Sequence, residues 1–263
     1  MTIDSRIGGV SVLAAMALFS SVNHASPSYT RNASNWAADY VSELTAISPW
    51  NSESGQMKQG VLISPRHVLF AQHYYPATTT TIRFVAADGT VCDRTLDAVV
   101  SLTQTDTNYP DFTIGLLDSD VDAGIAFAKV MPVAAITDKL PDLNVHHLPA
   151  ASTDQEGKLL VRNWVNYPTT TSPTAYCAFQ QPYGAGDDIA RNAFYEGFVG
   201  GDSGSPCFVF INGEMVLLTV VTTGGEGAGT SVTAYISDIN AAMTTLGGGY
   251  QLTEADVSGF ADL

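Results

Sequence analysis

Positive charge is scarce in this chain. Lys and Arg together number 11 against 26 Asp and Glu over 263 residues, a net charge of −15. A polyanion of this kind is repelled by phosphate backbones and by anionic lipid, which argues against nucleic acid as a partner and against stable membrane association of the mature chain. The acidity otherwise reads as a solubility device. Cysteine is also sparse. Cys92, Cys177 and Cys207 allow at most one intramolecular disulfide, and no pair has metal-ligand spacing. Cys177 with Cys207 is the favoured pairing, because both lie in the C-terminal half. Long apolar runs are missing but for "IGGVSVLAAMALFSSV", residues 7–22, behind Arg6. It is shorter than the roughly 20 residues of a membrane span and fits the apolar stretch of a secretory signal. A signal peptide over residues 1–25 and a secreted or periplasmic location are therefore expected, with an uncleaved anchor as the rival.

What is present is apolar and β-patterned. Hydrophobic residues make up 45% of the chain and charged residues 14%, enough for a sizeable core. Short runs rich in β-branched and aromatic residues succeed one another at 60–65, 67–72, 80–86, 90–102 and 111–117. A second set lies at 158–165, 174–180, 207–211, 215–221 and 230–236. Ser64-Pro65-Arg66, Asp88-Gly89 and Asn212-Gly213 read as turns between them. Strands at this spacing predict an all-β sandwich or barrel. The segment between the sets, with Pro132, Pro141 and Pro149, reads as a crossing between domains. Residues 237–246 carry a helical apolar spacing, with Ser237 as candidate N-cap and Gly247 to Gly249 as the stop.

One stretch invites chemistry. "GGDSGSPCF", residues 200–208, surrounds Ser203 with small residues beside Asp202. Glycines are costly to order, so such a run marks either a turn or a backbone shaped to bring N–H groups beside a hydroxyl. A serine hydroxyl becomes nucleophilic only with an adjacent base, usually a histidine that a carboxylate orients. The chain's five histidines, His24, His67, His73, His146 and His147, all precede Ser203. That order excludes the α/β-hydrolase arrangement, and Ser205 stands where the G-x-S-x-G motif needs glycine. The order acid, His, Ser would need a carboxylate such as Asp39 upstream of His73, without the expected helical setting for the serine. The order His, Asp, Ser remains, with His73, Asp111 and Ser203 as candidates. Asp106, Asp118, Asp120 and Asp122 are rivals for the acid.

In this order the chain resembles the chymotrypsin-like serine proteases. "QGVLISPRHVLFAQH", 59–73, is similar to the hairpin that delivers their catalytic histidine. "DFTIGLL" from Asp111 is similar to the strand opening with their aspartate, and "GDSGSP" from Gly201 matches their nucleophile motif. "LLTVVTTGG" resembles the strand that lines their substrate cleft, and "TSVTAYISDINAAM" their last strand and terminal helix. The resemblance, over about residues 50–246, implies an all-β fold: two six-stranded antiparallel β-barrels with a short C-terminal helix. The implied division is a 26–50 N-terminal segment, a first barrel at 51–131, a crossing at 132–157, a second barrel with helix at 158–246, and a tail at 247–263.

The implied activity is that of a secreted serine endopeptidase acting on polypeptides through an acyl-enzyme, without metal or cofactor, and expected as a monomer. Ser203 would be the nucleophile, His73 the base and Asp111 its orienting acid, with Gly201 and Ser203 supplying the oxyanion hole. Gly197, Phe198, Thr222, Thr223 and Gly224 would contact substrate, with Glu196 beside them. The chain departs from the family at Tyr74, where many relatives carry a bridged cysteine. "SRIGGV", 5–10, imitates an activation signal but runs into the secretion segment, so Asp202 is expected to find a partner other than a released N-terminus. His67 reads as solvated in its hairpin turn, and His146-His147 as exposed. "DSDVDAG", 118–124, fails the calcium-loop pattern and reads as an acidic loop. Two other classes stay open: a catalytically silent binding protein on the same scaffold, and an esterase using the same triad.

Overall fold

In the computed structural model of the protein, the residues described are 42–48, 58–103, 110–138, 150–154, 159–162, 164–166, 176–180, 198–225 and 227–258. The signal segment, Asp39, Asp106, His146-His147, Glu196 and Gly197 lie outside them. The first sheet is antiparallel and contains β1 (Ile47–Ser48), β2 (Gly60–Ser64), β3 (His67–Ala71), β4 (Thr81–Val85), β5 (Val91–Ser101) and β6 (Phe112–Leu117). Its order is β1-β2-β3-β6-β5-β4, and its two end strands approach each other, so the sheet is nearly closed. β5 can serve both β4 and β6 because a bulge between Leu96 and Ala98 bends it. The β2–β3 turn is knotted by Ser64, whose Oγ accepts the N–H groups of Arg66 and His67 at 3.2 and 3.0 Å. All ten residues of these two strands are buried, at the centre of the main apolar core.

In the second half the described residues form two separate sheets, and a second six-stranded barrel is not shown. After β7 (Lys129–Val130) and helix α1 (Val133–Asp138) come β8 (Ala150–Thr153), β9 (Leu159–Arg162), β10 (Trp164–Asn166) and β11 (Tyr176–Gln180). β12 (Pro206–Ile211), β13 (Glu214–Val220), β14 (Ala228–Thr230) and helix α2 (Ile236–Leu246) follow among the described residues. These strands form a five-stranded sheet, β7-β13-β12-β8-β9, and a three-stranded sheet, β10-β11-β14. β7 runs parallel to β13. The strand expected at 230–236 stops at Thr230, because Val232 takes helical angles (φ −60°, ψ −39°) and opens a 3₁₀ turn at Thr233–Tyr235. The fold shown is thus mostly β, with one nearly closed six-stranded sheet and a short C-terminal helix. Asn212 and Gly213 both have positive φ, 52° and 78°, as a tight hairpin turn requires.

Several elements fall across the expected divisions. β1 precedes residue 51, and β7 joins the second half's sheet. The crossing at 132–157 contains α1 and β8. Residues 253–255 lie along β7, with Val130 N–H donating to Thr253 and Ala255 N–H donating back to Val130, both at 2.9 Å. Helix α2 starts one residue before Ser237, which lies within its first turn and is no cap. Cys92 is a buried thiol, and burial raises its pKa. The side chain of Cys177 is outside the described residues, and so is its expected pairing with Cys207.

Helix α2 returns to the first sheet. Its Ile239, Ala242 and Met243 are buried against β5 and β6 in the main core, and Tyr235 packs edge-on to Phe112, ring centroids 6.1 Å apart. This packing overturns the expectation for His67, which is fully buried. Its Nδ1 is 2.8 Å from Ser64 Oγ. That oxygen already accepts two backbone N–H groups, so its own proton goes to Nδ1 and leaves Nε2 protonated. Nε2 faces the Met243 and Gly247 carbonyls at the end of α2 without reaching full hydrogen-bond geometry. Burial is the main influence and lowers the His67 pKa below its ordinary 6.5. The Gly247 carbonyl opposes it, Arg66 adds to it, and Met243 and Asp120 oppose it.

A histidine with a lowered folded-state pKa takes up its proton more readily in the unfolded chain. Its stabilising effect is therefore full above about pH 6.5 and declines as pH falls below that value. The melting-temperature advantage of wild type over His67→Gln is expected to shrink from pH 7.5 to pH 5. Parallel melting curves across that range would refute the assignment.

Candidate active site

Two neighbouring strands bring a histidine and an aspartate together. β3 and β6 pair through Ala71 and Phe112, so the residues just beyond them are adjacent. Gln72 N–H donates to the Asp111 carbonyl at 2.9 Å, and the chain then turns tightly as Tyr74 N–H reaches the Ala71 carbonyl at 3.1 Å. Asp111 sits at φ 48°, in the left-handed region that Asp and Asn tolerate better than most side chains. There its carboxylate spans His73: Oδ1 accepts the backbone N–H at 2.9 Å, and Oδ2 accepts the ring Nδ1–H at 2.7 Å. The Asp111 carboxylate is nearly buried while His73 is 41% exposed, so the ring reaches outward from a fixed anion.

Ser203 arrives from the other half. Its Oγ is 2.7 Å from His73 Nε2, so the three residues form one chain of hydrogen bonds. With Nδ1–H held by Asp111, Nε2 is the acceptor for the serine proton. The loop carrying Ser203 is fixed from several sides. Asp202 N–H donates to the Val199 carbonyl at 3.1 Å, and Val199 N–H donates to Asp202 Oδ2 at 2.7 Å. Ser205 N–H donates to the Asp202 carbonyl at 3.0 Å. Gly204 N–H and Val221 N–H tie the loop to the end of β13, at 2.9 and 2.8 Å. The buried Asp202 carboxylate thus braces its own loop. The N–H groups of Gly201 and Ser203 donate to no protein group among the described residues.

Gly204 has to be glycine for two reasons. Its φ is +89°, and a Cβ there would lie 2.4 Å from the Gln59 carbonyl oxygen, which is main chain and cannot swing aside. Gly204→Ala is expected to destabilise the protein by about 3 kcal/mol or more, combining left-handed strain with a backbone collision. A chemical-denaturation curve measures this, and a loss under 1 kcal/mol would show that the loop yields.

The residues expected to contact substrate separate. Phe198 pairs with Gly225 through two backbone hydrogen bonds of 2.8 and 2.9 Å, but its ring is buried in the second, smaller core, so only its main chain faces the loop. Thr223 and Gly224 are exposed and Thr222 is half-buried, on the segment leaving β13. Thr222 and Thr223 both donate their N–H to Ala228. The acidic loop after β6 is held by arginines. Arg66 donates to the Leu117 and Asp118 carbonyls at 2.9 and 2.6 Å, and Arg94 to the Asp120 carbonyl and the Asp122 carboxylate at 2.8 and 2.7 Å. Among the described residues no group of His, Cys, Asp and Glu could hold a metal ion.

The rival acids Asp118, Asp120 and Asp122 are bound up in that loop. Sequence reasoning missed Gln59, whose partners lie far along the chain. No known family matches the chain, and no curated protein matches it.

Proposed function

We propose that the protein is a serine-type hydrolase that cleaves peptide bonds through an acyl-enzyme. The observation that carries this reading is the hydrogen-bond chain from Ser203 to His73 to Asp111, 2.7 Å at each step. In the first half-reaction Ser203 Oγ attacks the scissile carbonyl carbon while its proton passes to His73 Nε2. The C–N bond then breaks, the amine leaves with that proton, and the acyl group stays on Ser203. Water repeats the sequence: His73 takes its proton, hydroxide oxygen joins the acyl carbon, and the acid leaves as the proton returns to Ser203. Asp111 fixes the ring's tautomer and offsets the charge of the transient imidazolium. The N–H groups of Gly201 and Ser203, unpartnered among the described residues, suit the developing oxyanion, where each donor is worth about 3 kcal/mol of transition-state stabilisation.

Within this reading the five- and three-stranded sheets are parts of a second barrel, and the protein acts outside the cytoplasm on a polypeptide. The exposed segment at Thr223 and Gly224 leaves room for an extended chain. The intact triad argues against a silent binding protein, since drift need alter only one member to abolish turnover. Incubating the folded protein with a fluorophosphonate probe and locating the adduct by peptide mapping tests the chemistry, with modification at Ser203 expected. A folded protein that stays unlabelled sinks it. Casein offered beside a simple ester separates a peptidase from an esterase.

A further inference from the structure

Gln59 takes no part in the chemistry above, yet it is fully buried and uses both ends of its amide between the two halves of the molecule. The Thr153 hydroxyl donates to Gln59 Oε1 at 2.8 Å, and Gln59 Nε2–H donates to the Asp154 carbonyl. Thr153 ends β8, and β8 pairs with β12 through Ser152 with Cys207 and Ala151 with Phe208. β12 begins three residues after Ser203. The main chain of Gln59 meets the same loop, because its carbonyl oxygen is what excludes a side chain at position 204. On its other side Gln59 leads directly into β2, which pairs with β3, the strand that ends two residues before His73.

One residue therefore joins the histidine hairpin by directional contacts to β8, the partner of the strand that leaves the serine loop, and packs its main chain against Gly204 of that loop. Apolar packing between two sheets resists separation but is non-directional. Buried hydrogen bonds, costly to leave unmade, fix the register instead. The 2.7 Å contact between His73 and Ser203 spans these two halves, and misplacement by about 1 Å can reduce a catalysed rate about 10²-fold. We propose that Gln59 is a positioning residue that sets the serine loop against the histidine hairpin. Its consequence for rate rests on the hydrolase reading; its hold on the loop does not.

The test compares wild type with Gln59→Leu, an apolar side chain one bond shorter that removes both hydrogen bonds, and with Gln59→Glu, which keeps the acceptor for Thr153 and loses the donor. The expected result for Gln59→Leu is a fall of about 10- to 100-fold in ester kcat and in fluorophosphonate labelling rate per folded molecule, with KM within about twofold. Gln59→Glu falls in between, and serves if the leucine variant does not fold. Amide hydrogen exchange at Gly204 and Val221 is expected to quicken about tenfold, with β5 unchanged. Wild-type labelling rates and wild-type exchange in the folded variants would overturn the proposal, leaving Gln59 a contributor to stability alone. If folded wild type does not label, the hydrolase reading fails, and the exchange comparison by itself decides the role of Gln59.

Discussion

Replacing Ser203 by alanine is expected to remove turnover almost entirely while leaving the fold intact. The side chain contributes one hydrogen bond, to His73, at a half-buried position. Its loss should change stability by no more than about 1 kcal/mol. The effect on rate is of another order. Without the hydroxyl no acyl-enzyme forms, and a fall in kcat of about 10⁵- to 10⁶-fold is expected, with KM close to wild type. His73→Ala should cost about as much, because the serine proton then has no acceptor. The double variant should be no worse than either single one, since the two residues act as a unit. Steady-state kinetics on an ester, with circular dichroism to show folding, measures all three. Additive losses would mean that Ser203 and His73 work independently, contrary to the mechanism.

Asp111→Asn is expected to lower kcat by about 10⁴-fold without unfolding the protein. Asn tolerates the left-handed backbone at φ 48° about as well as Asp, so the variant isolates the carboxylate. The reason for so large an effect lies in the second contact. His73 N–H needs an acceptor, and the Asn oxygen would take the place of Oδ1 there. The amide NH₂ is then left facing Nδ1 where Oδ2 now stands. Nδ1 becomes an acceptor, the ring proton moves to Nε2, and Nε2 then donates to Ser203 Oγ and can no longer take its proton. A loss below about tenfold would mean that Asp111 does not set the tautomer.

Much of this arrangement was legible because a few residues are diagnostic by order alone. With every histidine ahead of Ser203 and an apolar alternation starting at Asp111, the sequence left few ways to assemble a triad. β2 to β6 were readable for a related reason: their alternation is bounded by residues that make turns, Ser64-Pro65 and Asp88-Gly89. The misreadings are equally physical. "TSVTAYI" alternates like a strand, but Tyr235 finds a better place against Phe112, and the chain coils to reach it. β1 and β7, two residues each, carry no period to detect. His67 looked solvated because what buries it, the end of α2, is supplied from the far end of the chain. Gln59 carried no signal either, since a glutamine announces nothing until its two partners are known.

The return of α2 and of residues 253–255 to earlier strands also bears on how the molecule is made. The histidine and the aspartate are synthesised early, but their sheet stays uncovered until Tyr235, Ile239, Ala242 and Met243 emerge and close over it. A growing polypeptide therefore carries His73, Asp111 and Ser203 before this covering is in place. The sheet that positions His73 and Asp111 is thus covered only in the last stage of synthesis.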